Sequence, residues 1–318
     1  MPDWSTRPSL IRYGLYPASL LYAAGWRAYA AMYAWGLKKP SVAQVPVVCV
    51  GNLTVGGTGK TPLVVHLAGV LRDLGQEVVV SASGYGSPRA EAASVAPEGE
   101  LNPRLWGDEP ALLREALGPG VQLIVGRRRV LAARLCEEHF PRAVLLMDDG
   151  FQHLPLAKTV SIVLDPEPSN PFCLPLGPYR EPRRSGAARA DLVLPGRFHL
   201  RVGATEFADH PPEEADLLCA VGDPARLRRG LAEAGVHVVS ERILPDHHPL
   251  GDPTVLQGLG EARPLVVTAK DWVKLRLLPL GDRKVVVASY RVSIEPADEF
   301  RSWLAGRLDE AESSRSGK

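Results

Sequence analysis

The sequence predicts an α/β protein: a parallel sheet layered with helices, a second and smaller α/β unit after it, and an aromatic-rich helix before it. Three observations carry this expectation. Short apolar runs such as VPVVCV at 45–50, EVVVS at 77–81 and AVLLM at 143–147 alternate with segments of helix length, the signature of strands buried on both faces. A glycine-rich turn, GGTGKT at 56–61, joins the first strand to the first of these helices. A second alternation of strands and helices begins near Leu217, after a stretch with weaker patterning.

In chain order, residues 1–40 stand apart. They hold Trp4, Tyr13, Tyr16, Tyr22, Trp26, Tyr29, Tyr33 and Trp35, out of 6 Trp and 8 Tyr in the chain. The uncharged stretch from Tyr13 to Trp26 is too short for a bilayer, which needs roughly 20 apolar residues. Its aromatic content, with Arg7, Arg12, Arg27, Lys38 and Lys39, suits a helix lying on anionic lipid. Packing on the protein's own core serves equally well. No cleavable leader is predicted.

Residues 41–195 form the first α/β unit. Val45–Val50 and Glu77–Ser81 read as buried strands around a helix from Thr61 to Leu74, stopped at Gly75. Residues 86–106 read as loop. Pro110–Ala116 and Arg128–His139 read as helices, and Gln122–Val125, Ala143–Met147 and Ser161–Leu164 as strands. Prolines crowd the long segment 166–182, a length usually kept for function. Residues 196–216 read as a linker containing a hairpin, and 217–318 as the smaller unit, with strands at 217–221, 236–239, 265–268 and 284–288 and a polar, fraying tail from Asp309.

Composition narrows the function. A net charge of +1 gives no global electrostatic case for nucleic acid. Cys49, Cys136, Cys173 and Cys219 are dispersed, favouring neither zinc nor a disulfide framework and fitting small core residues.

The turn after the first strand points to nucleotide. Thr54, Val55, Gly56, Gly57, Thr58, Gly59, Lys60 and Thr61 follow the phosphate-loop pattern, with Thr54 where its first glycine belongs. Glycines let amide groups curl around phosphate oxygens, Lys60 can reach the β/γ-phosphates, and Thr61 can ligate Mg²⁺. Asp148 and Asp149 end the strand AVLLM, where a carboxylate holds the metal or its water. Adjacent residues of a strand face opposite ways, so one aspartate faces metal and the other a partner or the substrate. ATP and Mg²⁺ are therefore expected, in a phosphotransferase. A GTPase reading fails because Thr268-Ala269-Lys270-Asp271 puts its lysine one place late, and a partition-ATPase reading fails because Val55 stands where a lysine belongs.

Five motifs in order, GNLTVGGTGKTP at 51–62, GDEP at 107–110, MDDGFQH at 147–153, LPLGPYREP at 174–182 and PDHHP at 245–249, resemble the tetraacyldisaccharide 4'-kinase family. The resemblance implies a P-loop NTPase-like domain with a smaller α/β domain and a membrane-associated N-terminal helix. It implies ATP-dependent phosphorylation of the 4'-hydroxyl of a lipid-linked glucosamine disaccharide, giving lipid IVA, at the cytoplasmic face of the inner membrane. It also implies roles. Asp108 matches a catalytic base and His247 its partner, Arg180 a phosphate-facing arginine, Glu181 a metal ligand, and Arg129 an arginine after Gly126. On its own, Asp108 also reads as a helix-capping residue and His247 as part of a surface turn. No obligate protein partner is inferred.

Two positions depart from the family pattern. Ser83 replaces an arginine, and Ala269 replaces a glutamate. They leave open a P-loop kinase for another lipid-linked sugar, while a nucleotide-dependent assembly ATPase remains the alternative of a different class.

Overall fold

The computed structural model describes residues 10–56, 59–246 and 248–316. A 3-10 turn at Leu10–Leu15 leads into α1 (Tyr16–Ala34). The first unit runs β1 (Val47–Asn52), α2 (Lys60–Asp73), β2 (Val78–Ala82), β3 (Ser94–Val95), α3 (Pro103–Trp106), α4 (Asp108–Leu117), β4 (Gln122–Val125), α5 (Arg129–His139), β5 (Val144–Asp148), β6 (Val160–Leu164), α6 (Arg183–Ala187) and β7 (Leu192–Leu194). The remainder is β8 (His199–Phe207), β9 (Glu214–Cys219), α7 (Pro224–Glu233), β10 (His237–Ile243), β11 (Leu265–Thr268), α8 (Ala269–Leu275), β12 (Val285–Glu295) and α9 (Ala297–Ser316).

Among the described residues, seven strands form one sheet in the order β3-β4-β2-β5-β1-β6-β7, parallel except for β3 against β4. Every residue of β1 is buried because both faces are covered. Val48 and Val50 face the core shared with α2 and α4, whereas Val47 and Cys49 face the core shared with α5. The chain leaves β1 towards β2 on one side, and β6 lies on its other side. This reversal opens a crevice at the carboxyl ends of β1 and β5, where open α/β sheets bind ligands.

Five strands form the second sheet, β10-β9-β11-β12-β8, parallel except for β8. Here the structure corrects the sequence reading. The segment expected to hold a linking hairpin contains β8, which pairs with β12 rather than folding on itself. The cause is the length of β12: β11 satisfies only Val285–Ala288, and the continuation to Glu295 needs its own partner. The tail from Asp309 is helical through Ser316, within α9. That helix was expected to belong wholly to the smaller unit, yet it buries Phe300, Leu304 and Leu308 with Phe198 in the core of the larger sheet. Residues 86–106 also carry short structured pieces, β3 and α3 among them.

All four cysteines are buried and free. No helix among the described residues is long and apolar enough to cross a membrane. Helix α1 docks along one stripe. Ser19 Oγ donates to the Cys173 carbonyl (2.7 Å), Tyr22 OH to the Arg180 carbonyl (2.8 Å), and Trp26 Nε1 to Tyr22 OH (3.1 Å). Leu20 and Leu21 on this helix, and Trp35 and Leu37 just beyond it, are exposed.

Candidate active site

Strands β1 and β5 run in register with Val50 beside Asp148, so the loop after β1 and the two aspartates share one edge. The loop is stitched to the proline-rich segment. Thr54 bridges to Tyr179, the Val55 amide donates to the Pro178 carbonyl (2.9 Å), and the Arg180 amide donates to the Leu53 carbonyl (2.8 Å). Gly56 (φ 112°) and Gly59 (φ 85°) take backbone conformations that favour glycine. Gly59 caps α2 without a side-chain hydrogen bond, so the helix presents its first amide groups and its positive dipole end to the crevice. Lys60 and Thr61, the first two residues of α2, are half-buried there. Gly57, Thr58 and His247 lie outside the described residues.

The two aspartates diverge because the strand ends between them. Asp149 leaves the strand at φ 50° and meets Arg180 Nη1 at 3.0 and 3.2 Å and Lys60 Nζ at 3.9 Å. Asp148 is 1% exposed, and neither of its carboxylate oxygens has a hydrogen-bond partner. Burial holds its carboxyl well above the usual range, reinforced by the Glu109 and Asp149 carboxylates and opposed by Lys60 and Arg129. A buried, orphaned carboxylate beside a lysine and a phosphate-type loop fits a divalent cation. Among the described residues, no three His, Cys, Asp or Glu side chains form a protein-only metal cluster. Mg²⁺ suits such a site, since it uses one or two carboxylates and takes its other ligands from phosphate and water.

Arg129 is buried rather than part of a solvated helix face. It donates to the Asp148 and Asp149 carbonyls and to Ser81 Oγ, fixing the end of β5. Glu181, expected as a metal ligand, has a partner at each of its oxygens. Oε1 accepts from Gln152 Nε2 (3.0 Å), and Oε2 pairs with Arg189. Gln152 also donates to the Asn52 carbonyl (2.9 Å), so Glu181 braces the loop from beneath.

The GDEP motif places its carboxylates on the first turn of α4, where the helix dipole favours them. Glu109 acts electrostatically on Asp148, and Ser83 Oγ lies 3.5 Å from it. Asp108 points elsewhere, to Lys274 Nζ of α8 at 3.8 Å. Asp108 and Lys274 line a cleft of about 330 Å³ with Pro103, Arg104, Pro249, Gly251 and Leu277. Sequence reasoning missed Glu109 and Lys274. Their signals were a second carboxylate in GDEP and a lysine three places after Asp271 on an otherwise buried helix face. Thr268 caps α8 by accepting from the Asp271 amide (3.2 Å), so the absent glutamate at Ala269 leaves the turn intact.

Two local tests follow. A Cβ on Gly51 would lie 2.4 Å from Phe151 Cβ, so Gly51→Ala is expected to cost about 1–3 kcal/mol in urea unfolding. His153 offers a pH test. Burial, with Lys158 and Arg129 nearby, pushes its imidazole down to about 4, and its Nε2 is buried without a partner. In the unfolded chain it takes a proton near pH 6.5. Its contribution to stability is therefore present above 6.5 and lost as pH falls from 6.5 to about 4. His153→Gln should flatten the decline in urea midpoint across that window.

Known proteins resemble most of the chain. The family model described as tetraacyldisaccharide-1-P 4'-kinase matches residues 11–211 and 197–309. A tetraacyldisaccharide 4'-kinase of Halorhodospira halophila is 35% identical over 324 aligned residues, covering 97% of this chain and 96% of its own. One from Shewanella piezotolerans is 33% identical, covering 84% and 85%. Among solved structures, LpxK from Aquifex aeolicus in complex with ATP superposes with a TM-score of 0.80 at 26% identity, covering 94% of this chain and 100% of that one.

Proposed function

The chain belongs to the tetraacyldisaccharide-1-P 4'-kinase family, and from that premise we infer that it transfers the γ-phosphoryl group of ATP to the 4'-hydroxyl of a lipid-linked tetraacyl glucosamine disaccharide 1-phosphate. The product is lipid IVA, in lipid A biosynthesis. The observation that carries the reading onto this chain's residues is the convergence of Lys60, Asp149, Arg180 and the orphaned Asp148 at the carboxyl ends of β1 and β5.

In this reading, residues 54–61 cradle the phosphates through backbone amides and the α2 terminus. Lys60 and Arg180 supply positive charge where the transferring group spreads negative charge over its oxygens. Thr61, Asp148, Asp149 and Glu181 would hold Mg²⁺, which when bound would neutralise phosphate charge and orient the leaving group. Arg129 keeps the carbonyls beneath the aspartates fixed. Asp108 accepts the proton of the 4'-hydroxyl as its oxygen bonds to the γ-phosphorus and the bond to the β,γ-bridging oxygen breaks, releasing ADP. His247 is the expected partner of Asp108.

The protein works at the membrane because its acceptor is lipid-linked, and we place it on the cytoplasmic face of the inner membrane. The support is α1 and the segment after it. They expose Leu20, Leu21, Trp35 and Leu37 and carry Arg27, Lys38 and Lys39, the makeup of an interfacial anchor. We read the larger sheet as the kinase domain and the second sheet as a smaller domain facing it across the cleft.

The deciding experiment follows labelled γ-phosphate from ATP onto purified disaccharide 1-phosphate in detergent. Transfer to that acceptor supports the reading. Transfer to a different lipid-linked sugar alone would reassign the acceptor, and ATP hydrolysis indifferent to glycolipid would favour an assembly ATPase.

A further inference from the structure

We propose that Lys274 is a positioning residue for phosphoryl transfer, an ammonium that ties Asp108 to the His248 carbonyl. The proposal rests on the reading of Asp108 as the group that takes the acceptor's proton. Lys274 is 5% exposed on α8. Its Nζ donates to the His248 carbonyl (2.6 Å) and stands 3.8 Å from Asp108 Oδ2. A buried ammonium is costly, and packing gives no reason for one. Val273 and Leu275 on either side already fill separate apolar cores.

The pairing is selective. The carboxylates around Lys274 are Asp108 from α4, Asp271 from its own helix and Asp246 from the turn after β10, with Lys270 as a neighbouring cation. Asp246 is held by Lys270 at 2.6 Å. Asp271 accepts from Thr268 Oγ1 (2.7 Å) and from the Ala220 amide (3.0 Å), both at Oδ2, and its Oδ1 is buried without a partner. Of the three carboxylates Asp108 acts most strongly on Lys274, and it arrives from the opposite unit. Burial still outweighs them and holds the Lys274 ammonium below its ordinary value.

The 3.8 Å separation serves a base well. It is an ion-pair distance without a hydrogen bond, so the lone pairs of Asp108 stay open to an incoming hydroxyl. The cation still fixes where that carboxylate stands. A mere latch between the units would hold the fold without acting on transfer.

The experiment measures kcat and KM for wild type, Lys274→Met and Lys274→Gln, with ATP and disaccharide 1-phosphate in detergent. Lys274→Gln keeps a donor for the His248 carbonyl and carries the test if the methionine variant fails to fold. The expected result is a kcat loss of about 10²-fold with an unchanged KM for ATP. In an Asp108→Asn background the same substitutions should have little further effect, since they act through Asp108. A kcat close to wild type, or a full additional loss in that background, would overturn the proposal. Absence of transfer by the wild-type protein would overturn the kinase reading and the proposal together. Normal transfer by the wild type and by both Lys274 variants would overturn the proposal alone.

Discussion

Lys60→Ala is expected to lower kcat by about 10³-fold while leaving the fold intact. The two outcomes separate because of where Lys60 sits. Its ammonium is at the start of α2, 3.9 Å from Asp149, and Arg180 holds that same carboxylate at 3.0 Å. Removing the lysine therefore leaves Asp149 paired with Arg180 and Asp148 beside Arg129, and the unfolding free energy should change by no more than about 1 kcal/mol. Phosphoryl transfer loses far more, because the developing charge sits in a crevice where a fixed cation replaces water. Arginine should not rescue the activity, since its planar fork presents charge differently from a compact ammonium. Single-turnover transfer and urea unfolding on one preparation would read both quantities. Turnover within tenfold of wild type would remove Lys60 from the site.

The second large effect is expected at Asp108. Without a proton acceptor the 4'-hydroxyl is a poor nucleophile, and Asp108→Ala should reduce kcat by about 10²–10⁴-fold. Asp108→Asn should match it, because the amide preserves shape but not basicity. ATP affinity should hold in both variants, since Asp108 faces Lys274 and the cleft rather than Asp148. The check is a split reading, with KM for ATP against kcat for transfer. A rise in KM for ATP with kcat preserved would make Asp108 a nucleotide-binding group instead of a base.

Much of this site could be read from the chain. The strand–turn–helix around Lys60 is local, so its chemistry and spacing survive in the sequence. Strand alternation did anticipate that Asp148 and Asp149 would part, but the cause is that β5 ends between them and a positive φ turns Asp149 to Arg180. The bracing contacts of Glu181 were not legible, because nothing near it in sequence reveals Arg189 and Gln152 closing on its two oxygens. Lys274 was passed over for a similar reason. Its partner lies on another helix more than 160 residues earlier, and only the folded chain brings the pair to 3.8 Å. β8 was lost because its exposed residues carry little apolar signal, and its place is set by the unpaired half of β12.

The return of α9 to the larger sheet bears on how the chain is made. The ribosome delivers residues 47–194, every strand of that sheet, long before it delivers Phe300, Leu304 and Leu308. Until then Phe198 and its neighbours lack part of their cover, and the salt bridges from Arg301 to Asp73 and from Arg307 to Asp191 cannot form. The early-synthesised half must wait, partly unsealed, while the smaller sheet is spelled out in between. Residues 199 and 295 lie opposite each other as paired strand ends, so completing that sheet brings the final helix to the place where it is needed. The smaller unit thereby acts during synthesis as the guide that closes the larger one.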